Sequence, residues 1–303
     1  MSGAIQNETL LQKLLEHADE KRMHSQEPVF GVTELRDLPY FAENGTVRLL
    51  DVYLPQNAVG MLPIIVDVHG GAWYCGSKET NRYYGMYLAS QGFAVINVDY
   101  QPAQYDDLRH QVSDLFCAFK WVRENADGYG LDRRKIFLCG NSAGAHLALL
   151  SYTVLLSDTL RAIYRLPTVD FSVRALGLVT PVTDLHFFTD SVLPTAKKLA
   201  VRLLGDPPKQ SPLFYCASIA DVLRSSIPLP PVYLLGSEDD FFSAQSLKLD
   251  HLLTRRNVPH TFRYCAKGTH HALSHSFPVL YPEYAESASV NGEMLDFFRK
   301  AAE

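Results

Sequence analysis

Cysteine is scarce and scattered in this chain. Its 303 residues hold five, Cys75, Cys117, Cys139, Cys216 and Cys265, with no Cys-x-x-Cys pair. An odd, dispersed set argues against a disulfide framework and against a zinc ribbon, and predicts reduced thiols in a cytosolic protein. Charge is also limited. Asp and Glu number 33 against 28 Lys and Arg, a net −5, and no long basic run occurs. Such a surface offers no track for a phosphate backbone, so no nucleic-acid partner is expected. No apolar stretch approaches the roughly 20 residues of a membrane span. The start, Met1 to Glu8, lacks the basic region and apolar core of a signal peptide. Internal repeats and low-complexity tracts are missing too. Hydrophobic residues make up 47% and charged residues 20%, which excludes global disorder. The expectation is a soluble, cytoplasmic protein without a membrane span, with a homodimer left open as its assembly.

The apolar pattern alternates between two periods. Leu10, Leu11, Leu14 and Leu15 recur at helical spacing in a polar N-terminal stretch, which reads as an amphipathic helix within an extension over residues 1–35. Asp37 to Glu43 and Val47 to Leu54 read as strands around an Asn44-Gly45 turn. Pro63 to Val68 suits a strand buried on both faces, with Asp67 its one charge. Further strands are predicted at Phe93 to Val98, Lys135 to Cys139, Val173 to Val179, Pro231 to Leu235 and His260 to Tyr264. Helices are predicted at Tyr83 to Gln91, Leu108 to Asn125, Ser243 to Arg256 and Asn291 to Ala301, and Gly140 to Leu155 begins with a turn and continues as a helix. The polar cluster Asp106, Asp107 and His110 reads as the exposed start of the second of these helices. The alternation predicts an α/β fold: a mostly parallel central sheet with helices on both faces. Asp184 to Pro230 breaks the rhythm, holds six prolines, and reads as a small helical cap (about 184–230) inserted in a core domain over 36–303.

The strongest chemical signal is Gly140-Asn141-Ser142-Ala143-Gly144, between a predicted strand and a predicted helix. This is G-x-S-x-G in the setting that the motif needs. A sharp turn there lifts Ser142 out of the sheet, and the helix start faces its amides toward a developing oxyanion. The second signal, His69-Gly70-Gly71-Ala72-Trp73, follows the strand Pro63 to Val68. Paired glycines present backbone N–H groups with no side chain in the way. Gly70, Gly71 and Ala143 are therefore the expected oxyanion-hole donors, and His69 reads as a brace of that loop.

A serine hydroxyl needs a base and an orienting acid. Asp239, in Gly236-Ser237-Glu238-Asp239-Asp240 just past a predicted strand, is the expected acid, with Glu238 and Asp240 as its neighbours in contention. His271, in Lys267-Gly268-Thr269-His270-His271, is the expected base, with His270 and His275 as competitors. His271 and His275 stand four apart, a spacing for metal ligands on a helix, but no carboxylate motif accompanies them. Neither a metal nor another cofactor is expected.

Together these residues resemble the α/β-hydrolase fold. More narrowly, they resemble the hormone-sensitive-lipase-like and bacterial acetylesterase-like carboxylesterases, from about Tyr40 to Phe298. Gly76-Ser77-Lys78, Val98-Asp99-Tyr100 and Gly140 through His146 add to the match. The resemblance implies Ser142 as nucleophile. It places the acid three residues after a strand glycine, at Asp239, and the base before a small and then a large apolar residue, at His271. The usual third glycine after His-Gly-Gly is Ala72 here, and Gln101-Pro102-Ala103 replaces the usual Arg-Leu-x-Pro. His-Gly-Gly-x-Trp is also similar to kynurenine formamidase. The implied activity is hydrolysis of a small-molecule, short-chain ester through an acyl-enzyme. An arylformamidase or small-peptide hydrolase with the same triad is the alternative, and a non-catalytic binding protein would need a broken triad.

Overall fold

The computed structural model describes residues 17–43, 45–103 and 107–303. Eight strands form one sheet: β1 (Val32–Glu43), β2 (Thr46–Pro55), β3 (Leu62–Val68), β4 (Ala94–Val98), β5 (Leu131–Asn141), β6 (Ala175–Val179), β7 (Val232–Ser237) and β8 (His260–Cys265). Their order is β1-β2-β4-β3-β5-β6-β7-β8. β2 runs antiparallel to β1 and β4, and every other neighbouring pair is parallel.

Period-two alternation explains why β3, β4, β6 and β7 are apolar nearly throughout. Ile64, Val66 and Val68 pack on one face with Leu115, Phe119 and Leu147. Ile65 and Val95 pack on the other with Tyr84, Leu88 and Phe298. The helices Leu108–Asn125 and Ala143–Leu155 thus cover one face, and Arg82–Ser90 and Ala285–Ala301 the other. Gly177 permits the last of these contacts. A β-carbon there would lie 2.5 Å from Cys139 Sγ and 2.8 Å from Met294 Sδ.

The predicted hairpin forms, with Glu43 opposite Thr46; Asn44 itself lies outside the described residues. Several elements run longer than the pattern predicts, among them β1 from Val32 and β5 over Leu131–Asn141. β7 continues through Gly236 and Ser237. The last helix begins at Ala285 because two polar residues, Ser287 and Asn291, belong to its buried face. Asn291 donates to the Pro278 carbonyl, and so can sit among apolar neighbours. The segment between β6 and β7 carries the short helices His186–Thr189, Phe214–Ala217 and Ile219–Val222 and the longer Pro194–Leu204. Leu10, Leu11, Leu14 and Leu15 lie outside the described residues, as does Asp106. Residues 17–25 are helical, and Arg22 fixes them by donating to the Thr80 and Leu280 carbonyls. Asp107 caps the helix Leu108–Asn125 by accepting from the Arg109 amide. Among the described residues, no helix is long and apolar enough to cross a membrane.

One buried charge bears on stability. Asp67, near the end of β3, is 1% exposed and accepts from Asn81 Nδ2 at 2.7 Å. Its Oδ1 has no hydrogen-bond partner among the described residues. Burial outweighs the Asn81 bond and the nearby His69, and pushes its carboxyl up to about 6. A raised carboxyl favours the folded state while protonated and loses that advantage as pH rises through about 6. Asp67→Asn keeps an acceptor for Asn81 and cannot ionise. It is expected to stabilise the protein at pH 8 by up to about 3 kcal/mol and to have little effect at pH 4. Urea unfolding at both pH values checks this; equal effects at both would contradict it.

Candidate active site

The loops that follow β3, β5, β6 and β7 meet at the carboxyl edge of the sheet, where open α/β sheets place their sites. Ser142 sits between β5 and the helix Ala143–Leu155 with φ 55° and ψ −120°. A side chain seldom takes this left-handed backbone, and here its surroundings hold it. The Ser142 amide donates to the Val179 carbonyl on β6, and its carbonyl accepts from His146 and Val182. Both motif glycines are required by contact. A β-carbon at Gly140 would lie 2.6 Å from the Gly144 carbonyl group, and one at Gly144 would lie 2.0 Å from the Val68 carbonyl oxygen.

The histidine against Ser142 is His275. Its Nε2 lies 2.7 Å from Ser142 Oγ, and its Nδ1 lies 2.8 Å from Asp240 Oδ1. Asp240 is 3% exposed, and the same oxygen accepts from the Phe242 amide at 2.8 Å. Facing a carboxylate at Nδ1, the ring carries its proton there and turns a bare Nε2 to the hydroxyl. Phe241 and Phe242 stand beside the imidazole, with centroids 4.9 and 5.6 Å away.

This arrangement corrects two expectations. His271 is exposed, stacked on Tyr284 at 4.1 Å, and its nearest carboxylate is Glu286 at 4.0 Å. His270 is exposed beside it. Asp239 faces neither histidine. Its Oδ2 accepts from the Gly268 and Leu273 amides, both at 2.9 Å, and these two bonds hold its carboxyl below the usual carboxylate range. Asp239 therefore folds the loop that carries the histidines. That folding is tight, since a β-carbon at Gly268 would lie 1.8 Å from the His271 carbonyl oxygen.

The sequence held the right signals in duplicate. His275-Ser276-Phe277 has the same form as His271-Ala272-Leu273: a histidine, a small residue, then a large apolar one. Three residues past the glycine Gly236 is Asp239, but β7 ends one residue later at Ser237, and the third residue past that end is Asp240. His271 and His275 are also not on a helix, because residues 269–276 are irregular.

The glycine loop needs one correction. The Gly70 amide donates to Asn141 Oδ1 at 3.0 Å, so it does not face an incoming oxygen. The amides of Gly71, Ala72 and Ala143 have no acceptor among the described residues. Gly71, Ala72 and Trp73 all have positive φ, which curls this stretch back on itself. Gly71 must be glycine there, because a β-carbon would lie 1.9 Å from the Cys75 carbonyl oxygen. His69 braces the loop as expected, stacked on Tyr100 at 4.2 Å with its Nδ1 2.6 Å from the Gly70 carbonyl. Trp73 Nε1 donates to His146 Nδ1 at 3.1 Å, and His146 Nε2 lies 2.8 Å from the Ala217 carbonyl. Burial pushes His146 down to about 4, so it stays neutral and links the loop to the segment between β6 and β7.

Residues 50–253 match the BD-FAE family. The structure superimposes on esterase B of Lactobacillus rhamnosis with a TM-score of 0.91 at 27% identity, covering 98% of this chain and 96% of that one. An arylesterase of Saccharolobus solfataricus is 29% identical over 255 residues, 81% of this chain and 79% of its own. An isoprenylcysteine alpha-carbonyl methylesterase of Arabidopsis thaliana is 38% identical over 99 residues, 33% of this chain. The chain matches only 23% of that plant enzyme's length. A serine on a strained turn at the carboxyl edge of this sheet, and a family match over most of the core, lead to one assignment: the chain belongs to the BD-FAE family and has the α/β-hydrolase fold.

Proposed function

We propose that the protein is a serine carboxylesterase acting on short-chain acyl esters through Ser142, His275 and Asp240. One observation carries this reading: a single imidazole bridges the serine hydroxyl at 2.7 Å and a buried carboxylate at 2.8 Å. Ser142 Oγ attacks the ester carbonyl as His275 Nε2 takes its proton. Asp240 stabilises the imidazolium that forms. The Gly71, Ala72 and Ala143 amides donate to the oxyanion of the tetrahedral intermediate. Collapse of that intermediate breaks the bond to the alcohol, which leaves with the proton from His275. Water then attacks the acyl-Ser142 ester, with His275 again as base, and releases the acid.

Preference for a short acyl chain draws support from the related esterase B, whose structure was also solved with a tributyrin phosphonate inhibitor; that match has a TM-score of 0.89 at 27% identity. Residues 184–230 serve as a cap, tied to the glycine loop through Trp73 and through His146, which lies against the Ala217 carbonyl. No disulfide joins the five cysteines, all of which lie among the described residues, and this supports a reducing compartment such as the cytosol.

Two sets of measurements test this reading. With p-nitrophenyl esters, kcat/KM is expected to peak at acetate to butyrate and to fall roughly 10-fold or more by decanoate, since a few misfit methylenes are worth that much. A rise through decanoate would refute the short-chain assignment. For the triad, His275→Ala and Asp240→Asn are each expected to lower kcat roughly 10⁴-fold. His271→Ala, whose ring faces solvent and Tyr284, should keep near wild-type turnover. Loss in H271A with retention in H275A would reverse the assignment.

A further inference from the structure

Asn141, the residue before the nucleophile, is buried at 3% exposure, and both ends of its amide are engaged. Its Oδ1 accepts from the Gly70 amide at 3.0 Å and from Asn81 Nδ2 at 3.1 Å. Its Nδ2 donates to Ser276 Oγ at 3.1 Å. Gly70 adjoins the free amides of the glycine loop, and Ser276 adjoins His275. We propose that Asn141 is a positioning residue that holds the oxyanion loop and the base loop in register with Ser142. This rests on the Ser142–His275–Asp240 reading given above.

The amide can face only one way. Turned over, its NH2 group would confront two donors, the Gly70 N–H and the Asn81 NH2. Asn81 is itself fixed, because its Nδ2 also donates to Asp67 Oδ2 at 2.7 Å. The chain of bonds therefore begins at a buried carboxylate at the end of β3 and ends beside the imidazole.

The far end is anchored as well. Ser276 has φ 60° and ψ 21°, a backbone that needs support in a residue with a side chain. Its amide donates to Thr180 Oγ1 at 3.1 Å, and its Oγ lies 3.3 Å from the same atom. Thr180 follows β6, next to the Val179 carbonyl that holds the Ser142 amide. His275 is thus located from its C-terminal side by Asn141 and Thr180, both of which are tied to the nucleophile turn. From its N-terminal side it is located by the Asp239 bonds to Gly268 and Leu273.

An amide suits this place because it accepts at one end and donates at the other without carrying charge. Leucine, of similar volume, would remove both functions. The Gly70 and Ser276 groups would then lose their shared anchor, and the two loops would be free to shift against Ser142. Displacement of a reacting group by about 1 Å can cost roughly 100-fold in rate.

Asn141→Leu is expected to lower kcat roughly 10- to 100-fold while KM for p-nitrophenyl butyrate stays close to wild type. Asn141→Asp retains an acceptor for Gly70 and can accept from the Ser276 hydroxyl, so it should restore most of the lost kcat. Unfolding midpoints for both variants separate rate from stability. Wild-type kcat in N141L would overturn the proposal, as would equal losses in N141L and N141D. If N141L does not fold, Ser276→Ala tests the base-loop arm alone: kcat should fall with KM unchanged, and an unchanged kcat overturns that arm. His275→Ala, assayed alongside, separates the two readings. An active H275A refutes the triad, whereas an active N141L beside an inactive H275A refutes only the role given to Asn141.

Discussion

The site depends on how closely one helix start is pressed against the end of the neighbouring strand. At Gly144 there is no room even for a β-carbon, which would lie 2.0 Å from the Val68 carbonyl oxygen. That contact fixes the first turn of the helix Ala143–Leu155 over the β3 edge. It forces Ser142 into a left-handed backbone, and brings the Ala143 amide to the same corner as the glycine loop that leaves β3. The strain at Ser142 persists because the flanking bonds to Val179, His146 and Val182 over-determine it. A parallel sheet buried on both faces supplies the rigidity that such a turn needs.

From that corner outward, polar groups replace apolar packing as the means of holding the loops. Asp67, Asn81, Asn141, Ser276 and Thr180 form one buried set, and Asp239 forms a second with the amides of Gly268 and Leu273. Each loop would otherwise carry backbone groups with no partner, since loops lack the ladders of a sheet. The arrangement divides two adjacent aspartates by task. Asp239 organises the loop from half-exposed positions on its outer side, and Asp240, almost wholly buried, faces the imidazole. Their different surroundings, rather than their spacing, separate the two roles.

This division explains what was legible in the sequence and what was not. Ser142 and the glycine loop could be read because contacts within a few residues define them: Gly140, Gly144 and Gly71 are each demanded by a backbone atom nearby. The α/β alternation could be read because burial on both faces leaves long apolar runs such as Ile64 to Val68. The acid and base could not be separated from their neighbours, because long-range loop folding decides between them. His271 and His275 have the same local pattern, and long-range bonds, those of Asp239 to Gly268 and Leu273 and those of Asn141 and Thr180 to Ser276, turn one outward and the other in. Gly70 likewise looked like a free donor until the structure showed Asn141 accepting its amide. The start of the last helix was hidden by Ser287 and Asn291, polar residues on its buried face, of which Asn291 donates to the Pro278 carbonyl.

The central claim is that His275 activates Ser142. Intact-mass analysis after brief exposure to a short-chain p-nitrophenyl alkylphosphonate tests it most directly, because the adduct reports attack by the serine without a later step. The account predicts one adduct per chain, on the peptide that contains Ser142, formed rapidly in the wild type and in His271→Ala and only very slowly in His275→Ala. Labelling of His275→Ala at the wild-type rate, or an adduct on another residue, would contradict it.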